Sequence, residues 1–183
     1  MANMKKHSLI KVDFHPSVKL TRSEEANISK WLGMASLVIE ELIIKKQIIH
    51  PSWLKQTTAF KISVLLCGEV KIKKLNCDYR NKDKVTDVLS FPTFETLRKA
   101  KSKNDFTGTL ILLGDLAICH QKIIKQAKDF DISYLDEFIH LFLHGTIHLM
   151  GYDHEISSKE EKLMEDLENQ ALSIFSKIKK KGP

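Results

Sequence analysis

The sequence is poor in cysteine. Its three, Cys67, Cys77 and Cys119, are scattered and lack the paired spacing of a thiolate metal site. That excludes a disulfide-stapled scaffold and predicts free thiols in a reducing cytosol. No apolar run approaches the roughly 18 residues of a membrane-spanning helix. The basic start, residues 1–6, is followed by alternating apolar and charged residues, not by the continuous apolar stretch of a signal peptide. Internal repeats and an interdomain linker are also missing. What is present is an ordinary globular composition, 43% hydrophobic and 28% charged over 183 residues, enough for one domain with a full core. The formal charge of +6 favours a polyanionic partner, and part of the excess sits at 177–181.

Taken in order, residues 8–14 alternate loosely and are closed by Pro16, which predicts a first strand. Thr21-Arg22-Ser23-Glu24 is a capping box. It opens a long helix to about Lys46 that buries Ile28, Trp31, Leu32, Ala35, Val38, Ile39, Leu42 and Ile43. Residues 60–67 predict a strand with Phe60, Ile62, Val64 and Leu66 on one face, 70–79 a short helix, and 80–86 a polar loop. Residues 87–92 predict a strand stopped by Pro92, and 93–105 a polar, Lys-rich surface excursion. The apolar run 109–113 reads as a central strand buried on both faces, interrupted at Gly114-Asp115 by a bulge or close backbone approach. A basic amphipathic helix over 119–129 follows. Ser133 with Asp136 or Glu137 caps a helix running through His148, apolar on most sides and therefore central. Ser157-x-x-Glu160 opens the last helix, with Leu163, Leu167, Ala171, Ile174, Phe175 and Ile178 as its apolar face.

These elements predict an α+β (mixed α/β) fold in which a mixed sheet of roughly four strands packs with about five helices around the histidine-bearing one. The domain is expected to span 1–178, with a basic, disordered tail at 179–183.

The chemistry centres on His144-x3-His148-x2-Gly151-x2-His154. His144 and His148 lie one turn apart on one helix face. Gly151 permits the left-handed turn that ends the helix, and His154 can then swing back. Three imidazoles with an open side suit a catalytic Zn²⁺ whose fourth position is left to water; a closed structural site would want a fourth ligand, usually Cys, and none lies within twenty residues. The spacing is also the metal-binding skeleton of the metzincin proteases, but these carry Glu directly after the first His as general base. Here that position is Gly145. The cage is kept and the protease base is not.

Phosphodiester cleavage would need a cation on the non-bridging oxygens, for which a guanidinium fork is suited. Arg80 is the candidate; its bland alternative is a surface pair with Asp83 or Asp87. His140, one turn before His144, reads as a half-buried helix residue or as a hydrogen-bonding group behind the ligands. Asp153 either orients an imidazole or caps the turn. Asp115 reads as a local backbone hydrogen-bonder, with a line to the site as the alternative, and His7, His15, His50 and His120 have no assigned role.

With these residues in hand, the sequence resembles the YbeY family, bacterial metal-dependent endoribonucleases of ribosomal RNA maturation. Three blocks carry the resemblance: Leu75-Asn76-x-x-Tyr79-Arg80 through to Asp87-Val88-Leu89-Ser90-Phe91-Pro92; Leu113-Gly114-Asp115; and Glu137 through His140 to His144-Gly145-x-x-His148-Leu149-x-Gly151-Tyr152-Asp153-His154. The resemblance implies that His144, His148 and His154 hold one zinc ion per chain. It also implies that Arg80 positions or stabilises the RNA phosphate. The implied substrate is single-stranded RNA, notably the 3′ end of small-subunit (16S) ribosomal RNA, with a role in ribosome quality control, ribosomal particles as partners and a cytoplasmic location. Phe91 or Tyr152 are candidate rings for stacking a base. Two rivals stand beside this reading: a metalloprotease or amidase on the same cage, and a zinc-stabilised ribosome-associated RNA-binding factor without catalysis.

Overall fold

Thr21 begins the first helix as its capping box requires: its hydroxyl accepts from the Glu24 N–H at 3.2 Å while the Glu24 carboxylate accepts from the Thr21 N–H at 2.7 Å. In the computed structural model, which describes residues 9–46, 59–94 and 110–180, this helix α1 spans Arg22–Lys46. The other helices are α2 (Glu69–Arg80), α3 (His120–Asp129), α4 (Tyr134–Leu149) and α5 (Ser158–Lys180). The strands are β1 (Ile10–Pro16), β2 (Ala59–Cys67), β3 (Val88–Pro92) and β4 (Leu110–Cys119). They form one mixed sheet in the order β1-β2-β4-β3, with β3 antiparallel to β4 and the other pairings parallel. This is the expected α+β domain of four strands and five helices among the described residues. None of these helices is long and apolar enough to cross a membrane.

Alternation along β2 divides the core. Phe60, Ile62, Val64 and Leu66 face α1, α4 and α5, where Ile28, Leu32, Ile39, Phe138, Phe142 and Phe175 join one cluster. Leu65 and Cys67 face the other way, against Ile72 and Leu75 of α2 and Leu89, Ala117 and Cys119 of the sheet. A fully buried side chain of this size contributes about 1.5–3 kcal/mol, so the larger cluster dominates stability. Trp31, expected in the core, sits at its margin with its ring 5.6 Å from that of Phe175.

Several expectations shift. β4 is central, but Leu110 and Leu112 are exposed; burial on both faces belongs to its second half, Leu116 to Cys119, where α2 covers the sheet. Gly114 is the expected bulge and close approach, within a strand that runs on past it: it lies at φ 148°, beside a register shift against Lys61 and Ile62, and a Cβ there would collide with the Phe91 carbonyl oxygen. Arg80 completes α2 instead of opening the loop, because Asn81 takes the left-handed conformation (φ 55°) that closes the helix. On α5, Met164 is buried and Leu163 is exposed, so the buried face runs Met164, Leu167, Ala171, Phe175. Lys179 and Lys180 lie within α5, and Lys179 Nζ pairs with Asp136 at 2.5 Å. The Lys-rich segment 97–105 and residues 181–183 lie outside the described residues.

Candidate metal centre

The helix that carries the site starts at Ser133, whose hydroxyl accepts from the Asp136 N–H at 3.1 Å; Glu137, the alternative cap partner, is instead buried. α4 then presents His144 and His148 one turn apart and ends in a Schellman motif. Gly151, at φ 89°, donates to the His148 carbonyl at 2.8 Å, and Tyr152 N–H reaches the Ile147 carbonyl at 3.4 Å. This turn brings His154 back to the helix end. One nitrogen from each of His144, His148 and His154 lies within 4.8 Å of the others, with ring centroids 4.9, 5.0 and 5.6 Å apart. Among the described residues it is the one group of three or more such side chains able to hold a metal ion. His154 is exposed, which leaves the set open on one side.

The surroundings of the histidines suit metal ligands. His148 Nδ1 donates to the Tyr152 carbonyl oxygen at 2.9 Å, leaving the Nε2 lone pair free. Burial, followed by the neighbouring His144 and His154, pushes the His148 pKa down to about 4, so the ring is neutral at pH 7. His144 Nδ1 lies 3.3 Å from Glu168 Oε1 on α5, and the same oxygen is 2.7 Å from His140 Nε2. His140 Nδ1 faces the buried carboxylate of Glu137 at 3.5 Å. Hydrogen bonds to Glu137 and then Glu168 raise the His140 pKa to about 10. Burial alone would raise the Glu168 carboxyl, but the bonds from His140 and His144 outweigh it and hold the group down at about 2. Three imidazoles, two with Nδ1 already engaged, fit the neutral nitrogen donor set that zinc takes.

His140 is therefore half-buried and also stands behind a candidate ligand. Glu168 was not legible, because nothing in the spacing links α5 to α4. Glu137 had a weak signal in Glu137-x-x-His140, which shares a helix face with His144.

Position 145 faces the sheet. A Cβ on Gly145 would stand 2.8 Å from Leu116 Cδ2 and 3.2 Å from Ser90 Oγ, and that hydroxyl donates to the Gly145 carbonyl at 3.3 Å. A side chain at this position must displace Leu116 and Ser90, so packing as well as identity stands against the protease base.

Arg80 comes from the opposite face of the sheet. Its Nη2 lies 3.2 Å from Oε2 of Glu155, the residue after His154, while Asp83 pairs with Lys73 and Asp87 accepts from Gln126. The last turn of α2 and the segment from α4 to Glu155 thus meet around β3, one of the two edge strands of the sheet. Asp153 caps the turn, its Oδ1 accepting from the Glu155 N–H at 2.9 Å. Asp115 is exposed on β4 opposite Phe91, without the local backbone bond expected of it among the described contacts. His120 has found a partner in the Tyr134 hydroxyl at 2.8 Å; His7 and His50 lie outside the described residues. Of the two candidate stacking rings, Tyr152 is only 7% exposed and part of the core, and Phe91 is half-buried with Tyr79 packed across it.

Comparison with known proteins agrees with this architecture. The solution structure of a Thermotoga maritima protein superposes with a TM-score of 0.51 at 23% identity, covering 95% of this chain and 93% of that one, a likeness of fold. A protein of Thermodesulfovibrio yellowstonii named Endoribonuclease YbeY is 41% identical over 112 residues, 61% of this chain and 65% of its own length. So the match spans slightly under two thirds of that relative. The protein of the same name from Leptospira interrogans is 42% identical over 63% of this chain and 86% of its own length, and that from Rhodospirillum rubrum 38% over 76% and 68%. The family model described as Endoribonuclease YbeY matches residues 22–176, and by that match the chain belongs to the YbeY endoribonuclease family.

Proposed function

We propose that this chain is a zinc-dependent, single-strand-specific endoribonuclease, with one Zn²⁺ held by His144, His148 and His154 and Arg80 as the catalytic cation. One observation carries the reading: a guanidinium is paired with Glu155, the residue that follows His154 of an open three-imidazole cluster. Bound zinc supplies a Lewis acid at the scissile phosphate and lowers the pKa of water there.

The protein's own residues do the rest. Arg80 offers a planar pair of N–H donors to non-bridging phosphate oxygens, where negative charge grows during cleavage. Because it approaches from the α2 side while the imidazoles approach from α4, a phosphate lying over the β3 edge is held from two sides. The Tyr152 carbonyl keeps His148 in one tautomer, and Gly145 lets α4 lie close against Leu116. The net positive charge favours a nucleic-acid substrate.

Within the family's role in ribosomal RNA processing, the finer reading is trimming of the small-subunit (16S) 3′ end and ribosome quality control, in the cytoplasm and on ribosomal particles. The test is incubation of purified protein with an oligoribonucleotide of that 3′ sequence, free and annealed to its complement, and with an unstructured peptide. Cleavage of the free RNA alone supports the reading. Cleavage of the peptide would favour the protease rival, and binding of RNA without cleavage the non-catalytic one.

A further inference from the structure

We propose that Tyr79 is the platform on which a nucleobase of the single-stranded substrate stacks, next to the phosphate engaged by Arg80. The inference rests on the RNA reading above and specifies how that same site holds its substrate. Tyr79 is a large aromatic residue left 68% exposed in the last turn of α2, so it contributes little to the core. Its ring is braced all the same. The Phe91 ring meets it at 5.1 Å and 71°, an edge-to-face contact that fixes the side chain while most of its surface stays open to solvent.

The backbone beneath it is fixed as well. Asn81 closes α2 with its N–H bonded to the Cys77 carbonyl at 3.1 Å, and Lys82 N–H reaches the Asn76 carbonyl at 3.2 Å. The buried Asn76 amide ties the loop back by donating to the Lys84 carbonyl at 2.8 Å. A rigid, exposed ring binds a base with little ordering cost.

Its position fits the reaction. Tyr79 and Arg80 are consecutive, and Arg80 is tied to Glu155 beside His154. On the other side Phe91 follows Ser90, whose hydroxyl is bonded to the carbonyl of Gly145, next to His144. Phe91 and Ser90 are consecutive and face opposite sides of β3, so the α2 terminus and the histidine-bearing helix flank the same edge strand. Lys82 and Lys84, exposed in the adjoining loop, add positive charge for the backbone on either side of a stacked base. In a duplex the base faces are already stacked on each other, so a platform of this kind selects single strands whatever their sequence.

The test uses the full chain with its metal in place and an unstructured phosphorothioate oligoribonucleotide of the small-subunit 3′ sequence, whose slowed cleavage lets binding be read by fluorescence anisotropy. Tyr79→Ala is expected to weaken binding on the order of ten-fold, and Tyr79→Phe to restore it, since stacking needs the ring and not the hydroxyl. Tyr79→Trp should bind at least as well as wild type, with fluorescence quenched by RNA beyond any change in the parent. Oligonucleotides carrying single abasic positions supply the partner half: at one position the loss in wild type should match, and not add to, the loss from Tyr79→Ala. Equal affinity of wild type and Tyr79→Ala overturns the inference and leaves the ribonuclease reading intact. If Tyr79→Phe is as weak as Tyr79→Ala, the hydroxyl is the binding group and stacking is likewise overturned. Wild-type protein that neither binds this RNA nor cleaves its unmodified counterpart would instead defeat the function proposed above.

Discussion

His144 Nδ1 lies 3.3 Å from Glu168 Oε1, an oxygen already held 2.7 Å from His140 Nε2. One carboxylate on the last helix thus orients a candidate ligand on the central one. Glu168→Ala should weaken metal binding about 10–100-fold, the usual cost of losing such a partner, while the helical content is unchanged. A chelator-competition titration measures this directly. Undiminished affinity would mean that the His144 ring is positioned by packing alone.

Arg80 and Glu155 form an exposed pair across 3.2 Å, a contact worth about 0.2–1 kcal/mol at most. In the role proposed for Arg80, an incoming phosphate displaces that carboxylate. Arg80→Ala should leave metal content unchanged and lower RNA cleavage by roughly a hundred-fold or more, as loss of a charge-stabilising donor does elsewhere. Glu155→Gln should tighten RNA binding by only a few-fold, in keeping with the small value of the pair it breaks. Steady-state kinetics at low salt separate the two.

Gly145 should not accept the glutamate of the metzincins. Gly145→Glu forces a carboxylate into the space now filled by Leu116 and Ser90, at a cost of about 3 kcal/mol or more, and no peptidase activity should appear. A folded variant of near wild-type stability in urea would show that α4 can shift from the sheet, contrary to the packing described.

Asp87 ties the start of β3 to α3. Burial disfavours its charge, but hydrogen bonds from Gln126, the Val88 N–H and Thr86 outweigh it, so its pKa lies below the ordinary value of 3.8. A depressed carboxylate contributes stability above its unfolded pKa and loses it as the pH falls through the folded one. Asp87→Ala should therefore cost about 1–2 kcal/mol near neutrality, with the deficit shrinking below about pH 4. Paired urea titrations at the two pH values check the sign.

Much of this was legible in the sequence because it is written locally. The capping box at Thr21, the alternation of Phe60 to Leu66 and the His144-x3-His148 spacing with Gly151 each depend on neighbours a few residues away. What stayed hidden depends on tertiary approach. Glu168 reaches His144 only because α5 packs on α4, and Glu155 meets Arg80 only because α2 and α4 flank one edge strand. The burial of Tyr152 has the same origin: the helix-terminating turn draws it into the core, whereas Tyr79 is left outside by α2. Leu163 failed for a smaller reason, a one-residue error in the phase of α5 that Met164 corrects.

The most direct test of the account pairs metal content with cleavage of single-stranded small-subunit 3′ RNA, for wild type and His148→Ala prepared in parallel. The account predicts about one zinc per wild-type chain and, in a mutant that remains folded, loss of both metal and cleavage. Equal cleavage by the two proteins would contradict it, because the reaction would then owe nothing to the three-histidine centre.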